Sequence, residues 1–100
     1  MRSILVRQVF GSSTVLSVFD SADFVIGRNA EVDYLDTEPS VSRSHLHVVA
    51  ADNKVIIEDL ESANGTFVND NIIQAKTPVE IVPSDRVVLG KGRHYYSFEV

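Results

Sequence analysis

Apolar residues recur at every second position along almost the whole of this 100-residue chain. The segment 45–51 (HLHVVAA) illustrates the pattern, because Leu46, Val48 and Ala50 fall on one face of an extended strand and the residues between them fall on the other. No stretch of about a dozen residues carries the apolar stripe of an amphipathic helix. The alternation therefore predicts an all-β chain, with Leu46, Val48 and Ala50 in its core.

Turn residues divide the alternating pattern into about eleven short predicted strands. The predicted strands cover residues 4–10, 14–19, 24–26, 32–35, 45–51, 54–59, 66–68, 72–74, 79–82, 86–89 and 95–100. Short strands at this spacing are typical of a β-sandwich or a β-barrel, and the pattern alone does not choose between the two. In either architecture the loops gather at the ends of the sheets.

Two details of the pattern make local predictions. Asp52 and Asn53 separate two strands and tolerate positive φ, which predicts a two-residue hairpin. In the last strand the alternation places Tyr96, Phe98 and Val100 towards the core and the intervening residues outwards.

The composition fits one globular domain over residues 1–100 and limits its partners. The formal net charge of −5 argues against a surface for nucleic acid or anionic lipid, which would require clustered lysine and arginine. The absence of cysteine excludes disulfides, thiolate zinc sites and a cysteine nucleophile. The segment 1–7 is broken by Arg7, and no apolar run is long enough for membrane insertion. We therefore expect a cytoplasmic protein.

Three predicted loops are rich in hydrogen-bond donors. The longest ends in the segment 40–45 (SVSRSH), which carries hydroxyls and a guanidinium just before a strand, and the pair 27–28 (GR) and the triplet 64–66 (NGT) lie in the two others. A phosphate monoester has close to two negative charges and three strong acceptor oxygens, so its receptor needs a forked cation and neutral donors from several sides. Arg28, Ser42 and Arg43 are residues of the right type, although Arg28 could instead be a surface residue paired with Glu31 or Asp33.

The residues in these loops resemble the signature of the forkhead-associated (FHA) domain family. The resemblance rests on 26–28 (IGR), Asp33, 41–45 (VSRSH), 59–60 (DL) and 62–69 (SANGTFVN), which follow one another in the order and spacing of the family over about three quarters of the chain. It implies an eleven-stranded β-sandwich of the FHA/SMAD type with its ligand loops at one end. It further implies a phosphothreonine-dependent binding module in Ser/Thr kinase signalling that is not an enzyme and needs no cofactor.

The same resemblance assigns roles to individual residues. It implies that Arg28 and Ser42 are the principal phosphate ligands, that Arg43 faces the phosphate or the ligand backbone, and that Asn64 anchors the peptide main chain. The residues that shape and brace the loops are implied to be Gly27, His45 and Gly65.

Two positions depart from the family pattern. Ala63 stands where a threonine or serine often helps to hold the phosphate, so one side-chain donor is lost, at a cost of about 1 kcal/mol, although a backbone N–H can remain. Asp70 replaces the usual glycine after Asn69, and Asn71 follows it; both tolerate left-handed backbone conformations, so the hairpin is expected to survive.

Other functions are possible on the sequence alone. His45 and His47 have a spacing used by some zinc enzymes, but a third ligand, His94 or a carboxylate, has no supporting spacing. Scattered Ser, His and Asp lack the Gly-x-Ser-x-Gly elbow of a hydrolase. The segment 90–92 (GKG) lacks the frame of a nucleotide loop and is interpreted as a flexible hairpin turn. A fold of this family that mediates phosphate-independent protein assembly is the main alternative.

Overall fold

The computed structural model of the chain describes residues 3–100 and contains eleven β-strands. In chain order the strands are β1 (Ile4–Phe10), β2 (Ser13–Phe19), β3 (Asp23–Gly27), β4 (Tyr34–Leu35), β5 (Leu46–Ala51), β6 (Lys54–Asp59), β7 (Thr66–Val68), β8 (Asn71–Ile72), β9 (Val79–Ile81), β10 (Val87–Leu89) and β11 (Tyr95–Glu99). Within residues 3–100 no helix has the length and hydrophobicity needed to span a membrane.

The strands form two sheets that pack face to face. Six strands make one sheet in the order β2-β1-β11-β10-β7-β8, and five make the other in the order β4-β3-β5-β6-β9. The paired strands are antiparallel except β3 and β4, which run parallel. The predicted all-β, eleven-stranded sandwich is confirmed.

The core lies between the sheets and consists of one side-chain face from each. Leu46, Val48 and Ala50 are buried there, as the alternation predicts. The most closely stacked rings belong to Phe19 and Phe24, whose centroids are 4.2 Å apart. The other buried apolar residues are Ile4, Val6, Ile26, Val41, Val55, Ile57, Ile81, Val87, Leu89, Tyr96 and Phe98.

The inward pattern predicted for the last strand is wrong at its end. Val100 is 49% exposed because the paired part of β11 ends at Glu99, one residue earlier. Ser97, which the alternation places outwards, is buried. It lies opposite Arg7, and the long Arg7 side chain crosses to Glu99 at 3.0 Å and shields the small serine.

The strand predicted over 32–35 is shorter in the structure, where β4 has two residues. The N–H of Val32 donates to the carbonyl of Asn29 at 3.1 Å and closes a turn. The Asp33 carboxylate accepts the N–H of Val25 at 2.8 Å, so a side chain replaces a strand partner at this edge of the sheet. Polar side chains of this kind compete with strand pairing.

The two hairpins that depend on positive φ form as expected. Asp52 and Asn53 have φ of 52° and 61°, which the two-residue connection between β5 and β6 requires. Asn69 and Asp70 have φ of 49° and 70°, so the hairpin between β7 and β8 survives without the usual glycine. Asn71 belongs to β8.

A buried polar network joins the two sheets. Gln8 on β1 donates to the Tyr96 hydroxyl on β11 at 2.9 Å and accepts a hydrogen bond from Tyr34 on β4. Tyr96 donates to the carboxylate of Asp36 at 2.6 Å, and His94 donates to the same oxygen at 2.7 Å. Burial, together with the adjacent Asp36 carboxylate, raises the pKa of Tyr96, so this phenol remains a donor. The network fixes the start of the long loop that follows β4.

We expect Tyr96→Phe to lower the free energy of unfolding by about 1 to 3 kcal/mol. The substitution keeps the packing but removes the hydroxyl between Gln8 and Asp36, which leaves buried polar groups without a partner. Urea denaturation at neutral pH measures the change.

Tyr95→Phe is the matched control, since Tyr95 is only partly buried and its hydroxyl makes no hydrogen bond to residues 3–100. Its effect should stay within about 0.5 kcal/mol. Equal effects of the two substitutions would show that the network adds nothing to stability.

Candidate functional site

Three loops meet at one end of the sandwich because of the strand register. Ile26 near the end of β3 pairs with Leu46 at the start of β5, and Leu46 pairs with Asp59 at the end of β6. The loop 28–33 after β3, the loop 36–45 before β5 and the loop 60–65 after β6 therefore leave the five-stranded sheet side by side. The predicted site residues Arg28, Ser42, Arg43 and Asn64 all lie on these loops.

The first two loops are joined through their backbones. The N–H of Arg28 donates to the carbonyl of Ser42 at 3.0 Å, and the N–H of Asn29 donates to the carbonyl of Arg43 at 3.2 Å. Gly27 permits this approach, since a Cβ atom at position 27 would lie 2.0 Å from the Arg43 carbonyl oxygen. Any side chain at Gly27 would push the two loops apart.

Arg28 is exposed, and one hydrogen bond fixes its direction. Its Nε donates to the carbonyl of Val41 at 2.9 Å, which leaves the terminal nitrogens of the guanidinium for another acceptor. Within residues 3–100 Arg28 forms no ion pair, with Glu31, Asp33 or any other carboxylate. The surface pairing that the sequence left open for Arg28 is therefore absent from the described chain.

Ser42 and Ala63 connect the second loop with the third. Ser42 Oγ accepts the backbone N–H of Ala63 at 2.9 Å, so the hydrogen of the Ser42 hydroxyl remains available for donation. The Ala63 N–H, the backbone donor expected to remain for a phosphate, is engaged by this bond. The Arg43 side chain is exposed and has no ion-pair partner within residues 3–100.

Asn64 makes a second connection between the same loops. Its Nδ2 donates to the carbonyl of Ser40 at 2.9 Å, and within residues 3–100 its Oδ1 has no hydrogen-bond donor. Gly65, the next residue, has φ of +87°, a conformation that strains residues with a side chain. This turn directs the Gly65 carbonyl back towards the buried side of the loops.

His45 braces the loops from the buried side. It is completely buried, its Nδ1 accepts the N–H of Ser42 at 3.0 Å, and its Nε2 donates to the carbonyl of Gly65 at 2.9 Å. Because a backbone N–H can only donate, Nδ1 carries no proton and the imidazole is neutral. Burial lowers the pKa of His45, although the Gly65 carbonyl and the nearby Asp59 carboxylate oppose the shift.

A buried carboxylate, that of Asp59, holds the third loop, a role that was not predicted from the sequence. Asp59 accepts hydrogen bonds from the Ser62 hydroxyl, from the Ser62 N–H at 3.0 Å and from the Thr66 hydroxyl at 2.7 Å. Burial alone would raise the pKa of Asp59, but these hydrogen bonds outweigh it and the pKa is lowered. An Asp followed three residues later by Ser is a turn pattern that could have revealed this clamp.

The segment 90–92, interpreted from the sequence as a flexible turn, packs against the site. The N–H of Gly90 donates to the Gly65 carbonyl at 2.8 Å, and the N–H of Lys91 donates to Ser40 Oγ at 2.8 Å. A Cβ atom at position 90 would lie 2.5 Å from the Ser40 carbonyl oxygen. These contacts join Gly90 to a residue 25 positions away and Lys91 to one 51 positions away, and local sequence patterns do not reveal such pairs.

The histidines do not gather around a common point. His47 pairs with Asp23 at 2.8 Å, and His94 donates to Asp36, whereas His45 contacts backbone groups of the loops. Within residues 3–100 no group of three or more histidine, aspartate or glutamate side chains is arranged to hold a metal ion.

Comparisons with known proteins agree on one family. A sequence model of the FHA domain matches residues 24–90. The FHA domain-containing protein PS1 of Arabidopsis thaliana is 35% identical over 74 residues, which are 72% of this chain and 5% of the length of PS1. This chain therefore corresponds to a small part of that relative.

Solved structures show the same fold. The FHA domain of the CT664 protein from Chlamydia trachomatis superposes with a TM-score of 0.83 at 24% identity, over 99% of this chain and 98% of that domain. The N-terminal FHA domain of Rad53p from S. cerevisiae, in complex with a phosphothreonine peptide, gives a TM-score of 0.79 at 15% identity, over 96% of this chain and 93% of that one. The family model matches two thirds of this chain, and the chain therefore belongs to the FHA domain family.

Proposed function

We propose that this chain binds phosphothreonine-containing peptides or proteins through the loops 28–33, 36–45 and 60–65. The observation that carries the proposal is the arrangement of Arg28 and Ser42, which are joined by a hydrogen bond of 3.0 Å from the Arg28 N–H to the Ser42 carbonyl. The terminal guanidinium nitrogens of Arg28 and the hydroxyl hydrogen of Ser42 have no acceptor within residues 3–100. Forked cations beside neutral hydroxyl donors are the chemistry that a phosphate dianion requires.

The proposal gives each site residue a physical role. Arg28 offers two terminal nitrogens and Ser42 a hydroxyl hydrogen to the phosphate, with Arg43 as a second cation. Asn64 offers its free Oδ1 to the N–H groups of the peptide backbone. Gly27, Gly65 and His45 keep the loops in position and do not contact the ligand.

The free energy of these hydrogen bonds is sufficient for the affinity of a signalling interaction. A hydrogen bond to a charged group contributes roughly 1.5 to 3 kcal/mol net, so three or four of them approach the roughly −8 kcal/mol of a micromolar complex. The net charge of −5 does not prevent this, because charges beyond a Debye length of about 8 Å are largely screened at physiological salt.

The proposed activity is binding without catalysis, downstream of a Ser/Thr kinase that writes the mark. The Rad53p domain, crystallised with a phosphothreonine peptide, supports this class of ligand for a domain of the same fold. The family resemblance also predicts phosphothreonine over phosphoserine, through a small recess for the γ-methyl group. Nothing in this role requires a metal or a cofactor.

A phosphate-independent assembly domain is the competing function. Calorimetric titration of a phosphothreonine peptide library, and of its dephosphorylated twin, separates the two. The proposal predicts binding of the phosphorylated pool alone. Equal binding of both pools would overturn it in favour of the alternative.

We expect Arg28→Ala to weaken phosphopeptide binding by about 2 to 5 kcal/mol, because the phosphate loses its forked cation. Stability should change by no more than about 1 kcal/mol, since Arg28 is exposed and makes one side-chain hydrogen bond. Calorimetry and thermal unfolding measure the two effects.

Arg86→Ala is the charge-matched control for Arg28→Ala, because Arg86 precedes β10 at the opposite end of the sandwich. It should leave the affinity unchanged. Undiminished affinity of the Arg28 variant, or equal losses in both variants, would reject Arg28 as a phosphate ligand.

We expect Ala63→Thr to strengthen phosphopeptide binding about fivefold, because it adds a hydroxyl donor worth about 1 kcal/mol beside Ser42. Ala63 is exposed, so the larger side chain fits. Ala63→Val has nearly the same shape without the hydroxyl and should bring no gain. If the valine variant gained as much as the threonine variant, a hydrogen bond could not be the cause.

The bracing role of His45 predicts a pH dependence of stability. Its pKa is lowered from 6.5 in the folded state, so the unfolded chain takes up the proton more readily. The stabilisation that neutral His45 provides is complete above about pH 6.5, and it is lost as pH falls from there towards the pKa of His45 in the folded protein. Urea unfolding at about pH 7.5, 6.5 and 5.5 measures the slope.

His45→Gln should be less stable at neutral pH and should show a shallower loss of stability across the same interval. Asp59 does not confuse the test, because its contribution is lost only as pH falls below the ordinary carboxylate range. An unchanged slope in the His45 variant would contradict the neutral, buried histidine.

A further inference from the structure

The strand β2 is a long, open edge of the six-stranded sheet. It is the first strand in the order of that sheet, and β1 is its one strand neighbour within residues 3–100. It has seven residues, which pair with β1 in an unbroken register, so no bulge interrupts it. The strand contains neither a charged residue nor a proline. Charges, prolines, bulges and short strands are the features with which natural proteins protect an exposed edge, and β2 has none of them.

The other three sheet edges in residues 3–100 carry these protections. β4 and β8 have two residues each. β9 has three residues with Glu80 at its centre, and Pro78 precedes it while Pro83 follows shortly after. Among the edges of the described chain, β2 alone therefore leaves a long row of backbone groups available for pairing with another strand.

The hairpin geometry identifies the backbone groups of β2 that point to the free side. A two-residue turn joins β1 to β2, so the pair beside the turn, Phe10 and Ser13, exchanges both of its backbone hydrogen bonds. The pattern alternates along the hairpin, and Thr14, Leu16 and Val18 therefore direct their N–H and C=O groups away from β1. None of these three residues has a backbone hydrogen bond to a turn or loop of residues 3–100.

The side chains of the same residues form an apolar strip on the outer face of the sheet. Leu16 is 63% exposed and Val18 is 62% exposed. Leu5 on β1 lies opposite Val18 and continues the apolar surface. Arg7 lies opposite Leu16, and its charge is already paired with Glu99 at 3.0 Å. The strip thus offers an apolar surface without a free charge.

We infer that β2 pairs with β2 of a second copy of this chain, antiparallel about a twofold axis at Leu16, so that the two six-stranded sheets form one continuous sheet. In this register Leu16 faces its own counterpart and Thr14 faces Val18 of the second copy. All three residues with free backbone groups then find partners, in about six hydrogen bonds. A shift of the register by two residues in either direction moves one of them beyond the end of the opposite strand.

The charges identify a second copy as the occupant, although each chain has a net charge of −5. The strand is uncharged, and Asp20, the first charged residue after it, lies opposite Ser12 of the second copy and far from the second Asp20. The two Arg7 side chains are three strand spacings apart, roughly 14 Å, which exceeds a Debye length of about 8 Å. Two copies therefore meet along β2 without bringing like charges together.

The pairing leaves the proposed phosphate loops open in both copies. The Phe10 ring stacks on His94, and His94 donates to Asp36 at the start of the loop 36–45, so the turn between β1 and β2 lies at the loop end of the sandwich. In an antiparallel pair the loop ends of the two copies therefore point in opposite directions. Such a dimer presents two phosphate sites to a multiply phosphorylated partner, although the pairing itself requires no phosphate.

The size of the interface predicts a weak dimer. Seven residues of extended strand span roughly 23 Å, and a contact that is one strand wide buries less than about 1,200 Å², the range of transient complexes. We expect a dissociation constant of roughly tens to hundreds of micromolar. Analytical ultracentrifugation of the wild-type chain from about 10 µM to 1 mM covers this range.

Leu16→Lys tests whether the dimer forms through β2. It places two ammonium groups on directly opposed positions, so it should weaken dimerisation at least about tenfold. Val82→Lys is the charge-matched control, because Val82 is 49% exposed and follows β9, at the other edge of the opposite sheet. It should dimerise like the wild-type chain. Both positions are exposed, so thermal unfolding of the two variants should match that of the wild-type chain.

Cysteine cross-linking tests the register, since the natural chain has no cysteine. Across the proposed twofold axis the two copies of position 16 have Cα atoms about 5.5 Å apart, within the span of a disulfide. The two copies of position 18 are roughly 13 Å apart, which is too far. Under a mild oxidant, Leu16→Cys should therefore form a covalent dimer much faster than Val18→Cys.

A wild-type chain that stays monomeric throughout this range would overturn the inference and leave the edge to a strand of another protein. A dimer that survives Leu16→Lys, or equal cross-linking of Leu16→Cys and Val18→Cys, would also overturn it. None of these results bears on the proposed function, because Leu16→Lys should bind a phosphothreonine peptide with the affinity of the wild-type chain.

Discussion

The site depends on the two hydrogen bonds of one buried imidazole. His45 accepts from the backbone of Ser42 and donates to the backbone of Gly65, so a single rigid ring sets the distance between two loops. Both bonds need the neutral tautomer, and burial lowers the pKa of His45 in the direction that preserves it. The exposed donors on the outer side of the loops keep their positions because the inner side is fixed.

Other buried polar groups also hold the loops at this end of the sandwich. Asp59 gathers the Ser62 and Thr66 hydroxyls, and Asp36 anchors the loop after β4 to both sheets. Polar groups that fold the loops have their partners inside the protein, whereas Arg28 and Arg43 have no ion-pair partner within residues 3–100. This division supports the proposed binding function, because exposed cationic side chains without an ion-pair partner within residues 3–100 are free to bind an acceptor from outside the protein.

Much of the fold could be predicted from the sequence, since period-two alternation and turn residues are local signals. The strand that ends at Asp59 and the hairpin at Asp52 and Asn53 follow from such signals. The choice of a sandwich came from the family resemblance, because local patterns do not contain sheet pairing. The errors arose where side chains intervene, as at Asp33, or where a long neighbour shields a small residue, as at Ser97.

The site could be predicted less completely than the fold. Residue type pointed to Arg28 and Ser42, but the bond from Ala63 to Ser42, the packing of Gly90 on Ser40 and the bond from His94 to Asp36 all join distant segments. Contacts of this kind depend on the folded backbone, so single-sequence reasoning had no access to them. The packing of Gly90 on Gly65 and Ser40 was likewise not predicted, because the glycines of segment 90–92 indicate only a turn.

The central claim is that phosphate enters between the loops that His45 holds together. Amide ¹H–¹⁵N NMR during titration with a phosphothreonine peptide, and with the same peptide carrying unmodified threonine, tests it most directly. The account predicts large shifts at Arg28, Ser42, Arg43 and Ala63 with the phosphorylated peptide and none with the other. Shifts confined to another face of the sandwich, or the same shifts with both peptides, would contradict it.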